Sequence, residues 1–384
     1  MKNKRFNYLI LFALIGVTMS LKGQNTQLPS PEQSSEFKPS GKVWGLTFFD
    51  YYTKVHADSL NRGNTQYADM KNGANAFDFR RIYLGYDFQI SRSFSTQVLL
   101  AHESNTDAQG NRTVFIKAAN VRWKNIIKNN DLIIGQTATP IYALMSEQVW
   151  GYRSIEKTIV DQRKLGSSSD VGLTWIGKVG DEGNFGYNFM VGNGTAQKPE
   201  NDKYKKIYGE VYAKFFHQKF IVDFTSDYEV ASGTQSRNTY KGFIAYQSDP
   251  VTAGLEVFTQ VQKGATTDTT EGFINATNVN VVPFGISAFI HGQIVPQKLN
   301  YFARYDFYSP DTKFNADLKY ATNVPDYKEN FVVAGLDWMP VNNVHFMPNV
   351  WFDSYSSMKN NVSGKAKFDY DLVPRVTFYY VFNK

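Results

Sequence analysis

Seven charged side chains lie in one long segment, residues 140–168: Glu147, Arg153, Glu156, Lys157, Asp161, Arg163 and Lys164. Acidic and basic groups that face each other across a water-filled channel set up a transverse field, which orders polar solutes by dipole and size. On an outer loop the same charges would only keep that loop soluble. Connections longer than about 12–15 residues are usually functional or disordered. Because this one is also aromatic and charged, we predict that it folds inward as a constriction.

A second set of charged residues recurs on the polar face of alternating apolar and polar runs. It consists of Arg81, Lys214, Lys241, Arg304 and Arg375 together with Asp87, Glu210, Asp223, Asp227, Glu256, Asp306, Asp337 and Asp353. A selective anion channel would show a ring of basic residues. Since both signs are mixed here, the sequence predicts a channel wall with weak ion selectivity.

Enzymatic chemistry finds little support in the sequence. The chain has no cysteine, which excludes disulfides, cysteine-ligated metals and thiol nucleophiles. Its five histidines are separated by 46 to 115 residues, and none has a metal-binding spacing. We therefore predict no metal, no cofactor and no catalytic residue. A serine–histidine pair on the outer wall of a barrel hydrolase remains a minor alternative.

The elements that position these residues follow from the composition. Sixty aromatic residues occur in a chain with only 42% apolar residues, so large rings must alternate with polar residues as they do in strands. Sixteen alternating runs are found, at residues 42–53, 77–90, 93–104, 112–124, 131–139, 169–180, 183–194, 204–216, 219–229, 237–248, 251–262, 279–293, 298–308, 328–340, 343–354 and 368–382. Each can cross a membrane as a tilted strand, which needs about 9–11 residues.

The connections between these runs sort by length. Seven are short turns, and they alternate with eight long polar segments, as an up-and-down barrel with both termini on one side requires. The long segments are residues 54–76, 105–111, 140–168, 195–203, 230–236, 263–278, 309–327 and 355–367. A soluble sandwich gives no reason for such sorting. We predict an all-β, transmembrane, antiparallel up-and-down β-barrel of 16 strands over residues 41–384, with the long third loop folded into the lumen.

Aromatic residues are concentrated near the ends of the runs. Rings at both membrane interfaces form girdles around outer-membrane barrels. The predicted girdle residues are Trp44, Tyr51, Tyr52, Trp123, Tyr208, Tyr212, Tyr246, Tyr301, Trp338, Trp351, Tyr379 and Tyr380.

The N-terminus predicts export. Three basic residues precede an apolar run of nine, Leu9 to Val17, which is too short to span a bilayer as an anchor. We interpret residues 1–23 as a signal peptide, with cleavage near Gly23 or after Ser20, and residues 24–40 as a flexible lead-in. The leader carries four of the 41 basic residues and none of the 35 acidic ones. The rest of the chain therefore has 37 basic and 35 acidic residues, a net charge of about +2. This charge argues against a nucleic-acid partner.

Three stretches resemble Gram-negative outer-membrane porins, in particular the phosphate-selective porin O and P family. They are residues 77–88 in the second run, residues 150–161 in the third long loop and the terminal residues 378–384. The last stretch is similar to the strand signal read by the barrel-assembly machinery, with Phe378, Tyr380 and Phe382 at alternate positions. The resemblance implies a 16-stranded water-filled pore with an inward loop. It does not carry over phosphate selectivity, because the wall charges are mixed.

These inferences predict a porin of the cell outer membrane that lets small hydrophilic solutes and ions diffuse passively. The expected partners are outer-membrane lipid, lipopolysaccharide, the barrel-assembly machinery and small polar solutes, with a homotrimer left open. The alternative is a barrel that serves as an adhesin, a receptor or a structural subunit of an envelope complex.

Overall fold

The computed structural model describes residues 37–383, except Asn64, Leu144, Asp181, residues 233–234, residues 273–274 and Asn323. The predicted signal peptide and nearly all of the predicted lead-in lie outside the described residues. Within the described part, no helix is long and apolar enough to cross a membrane.

The structure is almost entirely β. Its strands are β1 Ser40–Thr53, β2 Asn75–Gln89, β3 Phe94–His102, β4 Phe115–Ile127, β5 Asn130–Ala138, β6 Ser169–Val179, β7 Phe185–Gly192, β8 Lys206–Phe215, β9 Phe220–Ser232, β10 Gln235–Gln247, β11 Val251–Asp268, β12 Thr277–Val281, β13 Phe284–Val295, β14 Leu299–Ser309, β15 Tyr327–Val341, β16 Val344–Ser357 and β17 Phe368–Phe382. Its short helices are α1 Pro140–Ala143, α2 Met145–Trp150, α3 Ile159–Gln162 and α4 Gly364–Lys367.

The strands form a closed ring. Successive strands pair antiparallel, and β1 pairs with β2 on one side and with β17 on the other, from Gly45 opposite Phe382 to Tyr52 opposite Arg375. The short β12 and the longer β13 both pair with β11, so they make one crossing that is interrupted at Val282–Pro283. Proline cannot donate a ladder hydrogen bond, which explains the break. The predicted 16-stranded up-and-down barrel is thus confirmed.

The two faces of the wall are inverted relative to a soluble protein. On β11, Leu255 and Val257 are exposed on the outside, whereas Glu256 and Gln260 are almost completely buried on the inside. On β2, Leu84 is exposed on the outside and Tyr83 is buried. An apolar outer face and a polar interior on a closed sheet are the features of a barrel that spans a membrane, because every backbone group is paired and no edge meets lipid.

The aromatic residues divide between the two faces, which corrects the predicted girdle in part. Tyr51, Trp123, Tyr246, Trp338 and Tyr380 are exposed on the outside as predicted. In contrast, Trp44, Tyr52, Tyr208 and Trp351 are buried inside the barrel. The reason is that segments folded into the barrel need apolar contacts there: Trp351 and Tyr52 belong to one cluster with Trp150 of α2.

Two connections differ from the prediction. The segment predicted at residues 230–236 is largely strand, because β9 reaches Ser232 and β10 begins at Gln235. The segment predicted at residues 263–278 is shortened in the same way, since β11 continues to Asp268.

The last strand presents its aromatic residues outward. Phe378 stacks on Phe49 of β1 with ring centroids 4.7 Å apart and meets Phe346 of β16 edge-on at 5.1 Å. Tyr380 stacks on Phe382 at 5.9 Å. The three residues of the predicted assembly signal therefore share one outer face beside the seam between β1 and β17.

The direction of the faces predicts a difference between two neighbouring arginine substitutions. Leu84→Arg places a charge in lipid and should lower the free energy of unfolding by about 2–4 kcal/mol. Gln97→Arg, on the next strand but facing the interior cavities, should cost much less. Urea unfolding of the barrel refolded into lipid vesicles measures both. Equal losses would contradict the assignment of faces.

Candidate functional site

The long connection between β5 and β6 leaves the wall through a narrow neck. Ala138 pairs with Ser169, and the next pair outward is closed by two bonds: Thr139 N donates to Ser168 O at 3.2 Å, and Thr139 Oγ1 donates to Ser167 O at 2.7 Å. Residues 140–168 form the insert that this neck closes. We name this segment the constriction loop; it contains α1, α2 and α3.

Apolar side chains anchor the constriction loop to the inside of the barrel. Trp150 is fully buried, and its ring lies 5.1 Å from that of Phe289 on β13. Ile155, Ile159 and Val160 are also buried. Ile159 and Val160 lie on the single helical turn α3. Burying a Trp ring removes about 150–250 Å² from water, an upper estimate of about 4–6 kcal/mol at 25 cal/mol per Å².

Three wall arginines hold the backbone of the constriction loop. Arg375 Nη2 donates to Ile155 O at 2.6 Å, and Arg80 Nη1 donates to the same oxygen at 3.3 Å. Arg304 Nη1 donates to Lys157 O, while its Nη2 reaches Gln162 Oε1 at 3.2 Å. We call Arg80, Arg304 and Arg375 the arginine clasp.

Each arginine of the clasp also contacts a polar group of the wall. Arg304 Nε donates to Asp306 Oδ1 at 2.8 Å, and Arg375 Nε donates to Asn349 Oδ1 at 2.6 Å. Arg80 forms an ion pair with Asp50. Such wall partners matter because a buried charge without a partner is strongly destabilising. The clasp is therefore oriented by the barrel and directed at the loop.

The predicted constriction residues form ion pairs with one another rather than facing each other across a water-filled channel. Arg153 pairs with Glu147, and its Nη1 lies 3.0 Å from Asp161 Oδ2. Lys157 Nζ lies 3.5 Å from Asp161 Oδ1. The expected arrangement, with acidic and basic groups facing each other across water, does not describe these contacts, because the loop neutralises most of its own charge.

The other predicted loop residues contact the wall or a cavity. The side chain of Arg163 is buried, pairs with Glu329, and lies 3.7 Å from Asp353 Oδ2. Glu156 is buried, and its carboxylate accepts a hydrogen bond from Lys157 N at 3.0 Å. Lys164 borders two cavities.

Local electrostatics keeps two loop carboxylates, those of Asp161 and Glu156, ionised. Burial by itself raises the pKa of Asp161, but the positive charges of Arg153 and Lys157 outweigh it and hold that pKa below its ordinary value. For Glu156 burial is opposed in the same way by Arg375 and Arg80, which lower its pKa. These two carboxylates therefore stay ionised near neutral pH.

A cluster of charged side chains on β2, on β4 and just after β3 faces the constriction loop. Glu103, just after β3, lies 2.7 Å from Lys117 Nζ and 3.9 Å from Arg81 Nε, and Tyr83 OH donates to it. A cavity of about 370 Å³ borders Tyr83 and Lys117 together with Arg153 of the loop. A second cavity of about 340 Å³ borders Arg81 and Glu103. These two cavities beside the loop thus lie along this part of the wall.

The thirteen predicted lumen-wall residues all lie on the inner face. Asp87 accepts hydrogen bonds from Trp44 Nε1 at 2.9 Å and Gln97 Nε2 at 2.8 Å. Asp337 accepts from His345 Nδ1 at 2.8 Å and from Tyr152 OH at 3.3 Å. The remaining eleven are Arg81, Glu210, Lys214, Asp223, Asp227, Lys241, Glu256, Arg304, Asp306, Asp353 and Arg375.

Three acidic residues on β8, β9 and β11 are covered by the constriction loop. Glu210, Asp223 and Glu256 are each about 2% exposed, and Lys241 Nζ lies 3.7 Å from Glu256 Oε2. The same Nζ donates to Ser146 Oγ of α2 at 3.1 Å. Within the described residues, no group of three or more His, Asp or Glu side chains is placed to hold a metal ion.

Sequence reasoning missed Arg80, Glu103 and Lys117. Strict alternation assigns only one of Arg80 and Arg81 to the interior, yet both are buried there. A β-bulge explains this: Phe48 pairs with Arg81 and Phe49 pairs with Phe79, so Arg80 is an extra residue on β2. The two adjacent arginines in one strand were the only sign in the sequence that could have indicated this bulge.

Comparisons of fold identify similar solved structures. The DcaP outer-membrane channel of Acinetobacter baumannii superposes with a TM-score of 0.63 at 11% identity, covering 90% of this chain and 97% of that one. The chain has the fold of a 16-stranded porin.

Two further porin structures agree with this fold. The anion-selective porin of Comamonas acidovorans gives a TM-score of 0.58 at 11% identity over 90% of this chain and 100% of that one. OmpF of Salmonella typhi, in a complex with daunomycin, gives 0.56 at 11% identity over 89% and 97%. No protein-family model matches the sequence. No curated protein matches it either.

The arginine clasp predicts protection of the constriction loop from protease. Trypsin can cut after Lys157 only when this segment detaches from the wall, and hydrogen bonds to charged groups contribute about 1.5–3 kcal/mol. Arg304→Gln should therefore raise the rate of cleavage in the folded barrel by at least about tenfold, because cleavage tracks the detached population.

The matched control is Arg122→Gln, which removes an arginine that pairs with Asp131 near the short turns. It should leave the cleavage rate unchanged. Mass spectrometry of the fragments, on protein whose folding is checked by heat-modifiable migration, measures the effect. An unchanged rate in Arg304→Gln would show that this arginine does not hold the loop.

Proposed function

We propose that this protein is a porin of the outer membrane through which small hydrophilic solutes and ions diffuse passively. The observation that carries the proposal is the position of the constriction loop: it packs against β13 and β14, while a cavity of about 370 Å³ remains between Arg153 and Lys117, the partner of Glu103. A solute path beside such a loop needs only water-filled space lined by polar groups. The proposed role is transport, with no enzymatic step.

The charges along this path favour weak ion selectivity. The charged residues that border the two cavities are the basic Arg80, Arg81, Lys117, Arg153, Lys157 and Lys164 and the acidic Glu103, Glu147 and Glu156. Asp50 and Asp161 pair with three of these bases, so six basic groups are set against five acidic groups and the net charge near the narrow part is small. We infer that neither anions nor cations are strongly excluded. The resemblance to the phosphate-selective porin O and P family stays a prediction, without phosphate selectivity.

The surroundings proposed for the protein follow from its outer surface. The apolar outer face supports contact with outer-membrane lipid and lipopolysaccharide, and the shared face of Phe378, Tyr380 and Phe382 supports recognition by the barrel-assembly machinery. A trimer form is described for OmpT of Vibrio cholerae, which has a TM-score of 0.55 at 12% identity over 90% of this chain and 99% of that one. We include a homotrimer in the proposal on that likeness.

Transport by the purified protein is tested in lipid. Proteoliposomes should swell in small sugars and progressively less in larger ones. In planar bilayers, a KCl gradient should produce a reversal potential far below that of an ideally selective channel. A strong anion or cation potential would contradict weak selectivity. Absence of swelling by verified folded protein would contradict the porin and favour the adhesin, receptor or structural role.

Removing the part of the loop nearest the path should widen the channel. Deletion of residues 154–164 should raise single-channel conductance by about twofold or more, because it removes side chains from the narrowest part of the path. The matched control is deletion of residues 359–362 from the exposed connection after β16. Unchanged conductance in the folded loop deletion would place the constriction elsewhere.

A further inference from the structure

The first long connection, residues 54–74 between β1 and β2, is also directed into the barrel. The sequence identifies it only as a long polar segment. In the structure Lys54, Asp58, Tyr67 and Ala68 are buried, each 5% exposed or less. A polar connection on the outer rim would leave such side chains in water. Their burial shows that this segment packs at a defined site inside the barrel, which we call its seat.

A buried ion pair anchors the start of the segment. Lys54 Nζ lies 2.9 Å from Asp371 Oδ1 on β17, and both side chains are completely buried. Lys54 Nζ also donates to Ala68 O at 3.4 Å, and Asp58 N donates to Asp371 Oδ1 at 2.7 Å. Because the lysine reaches across the segment to its far end, the two ends are tied together and to the inner wall.

Tyr67 extends the seat into the lumen. Its ring contacts Tyr52 at 5.1 Å and Trp351 at 5.2 Å between centroids. Its hydroxyl accepts a hydrogen bond from Arg375 Nη1 at 2.9 Å, while Nη2 of the same arginine donates to Ile155 O of the constriction loop at 2.6 Å. One arginine therefore joins both inward connections.

The residues before Tyr67 line the mouth of the proposed path. Thr65 and Gln66 border the cavity of about 340 Å³ that also touches Arg81, Glu103 and Lys157. Gln66 is exposed, whereas Tyr67 and Ala68 behind it are buried. The first connection thus gives the mouth an uncharged polar edge opposite the charged edge of β2 and the constriction loop.

We propose that residues 65–67 are a second constriction element, which sets the size of the mouth together with the constriction loop. This inference rests on the proposed porin function. Gln66 borders the solute path directly. Tyr67 is a positioning residue, which holds Gln66 in place through its ring contacts and its bond to Arg375.

The absence of cysteine from the chain allows a specific test. Gln66→Cys is labelled with a bulky, uncharged methanethiosulfonate reagent added on the side of the long connections. Labelling should lower single-channel conductance by about twofold or more, because the added group occupies the mouth. Gln109→Cys, in the exposed connection between β3 and β4, is the matched control and should conduct as before when labelled.

The outcomes separate this inference from the function on which it rests. If unlabelled, folded protein does not conduct at all, the porin proposal fails. If it conducts, and fully labelled Gln66→Cys conducts like the labelled control, the porin stands and the second constriction is wrong. Mass spectrometry verifies complete labelling.

A second variant tests the positioning role. Tyr67→Phe keeps the ring contacts and removes the hydroxyl that Arg375 donates to. We expect normal folding and a weaker block by the label in Gln66→Cys/Tyr67→Phe than in Gln66→Cys alone, since the label can then move out of the path. An identical block in both would overturn the role of the hydroxyl.

Discussion

The pairing of β1 with β17 is the constraint on which the rest of the molecule depends. In lipid each unpaired backbone amide or carbonyl costs several kcal/mol, so a sheet can cross only if its first and last strands meet. The ladder from Gly45–Phe382 to Tyr52–Arg375 satisfies this requirement. Closure also dictates the inverted faces, because the outer side must then be apolar and the enclosed side can hold charge.

The interior created by closure is crowded with charged groups that have to find partners. The arginine clasp answers part of this need, since each guanidinium bonds both a wall group and a loop group. Arg375 goes further and links two connections that are far apart in sequence. The hydrogen-bond donors of these arginines therefore hold the inward connections in fixed positions inside the lumen.

Much of this arrangement could be predicted from the sequence, because side chains in strands alternate strictly. All sixteen crossings and the inner position of residues such as Asp337 follow from a period of two. The alternation fails at Arg80, where the bulge opposite Phe48 and Phe49 inserts one residue and returns two neighbours to the same face. Register and bulges depend on the partner strand, which a single run does not encode.

The inward aromatic residues were missed for a related reason. Trp351 and Tyr52 occupy strand positions typical of an interface girdle, but their rings pack on Tyr67 and on the cluster of Trp150. Their contacts are made by segments distant in the chain. The pairing of distant segments, such as Lys54 with Asp371, has no local signal that would have announced an inward first connection.

The neck of the constriction loop has a consequence for how such a protein can change over evolution. Since Ala138 already pairs with Ser169 below the bonds of Thr139, strands β5 and β6 keep their register whatever lies between them. Lengthening a loop whose ends are already joined costs little, about 0.6 kcal/mol per doubling. The length and the side-chain chemistry of the insert can thus change by insertion or deletion, while the membrane-spanning wall stays the same.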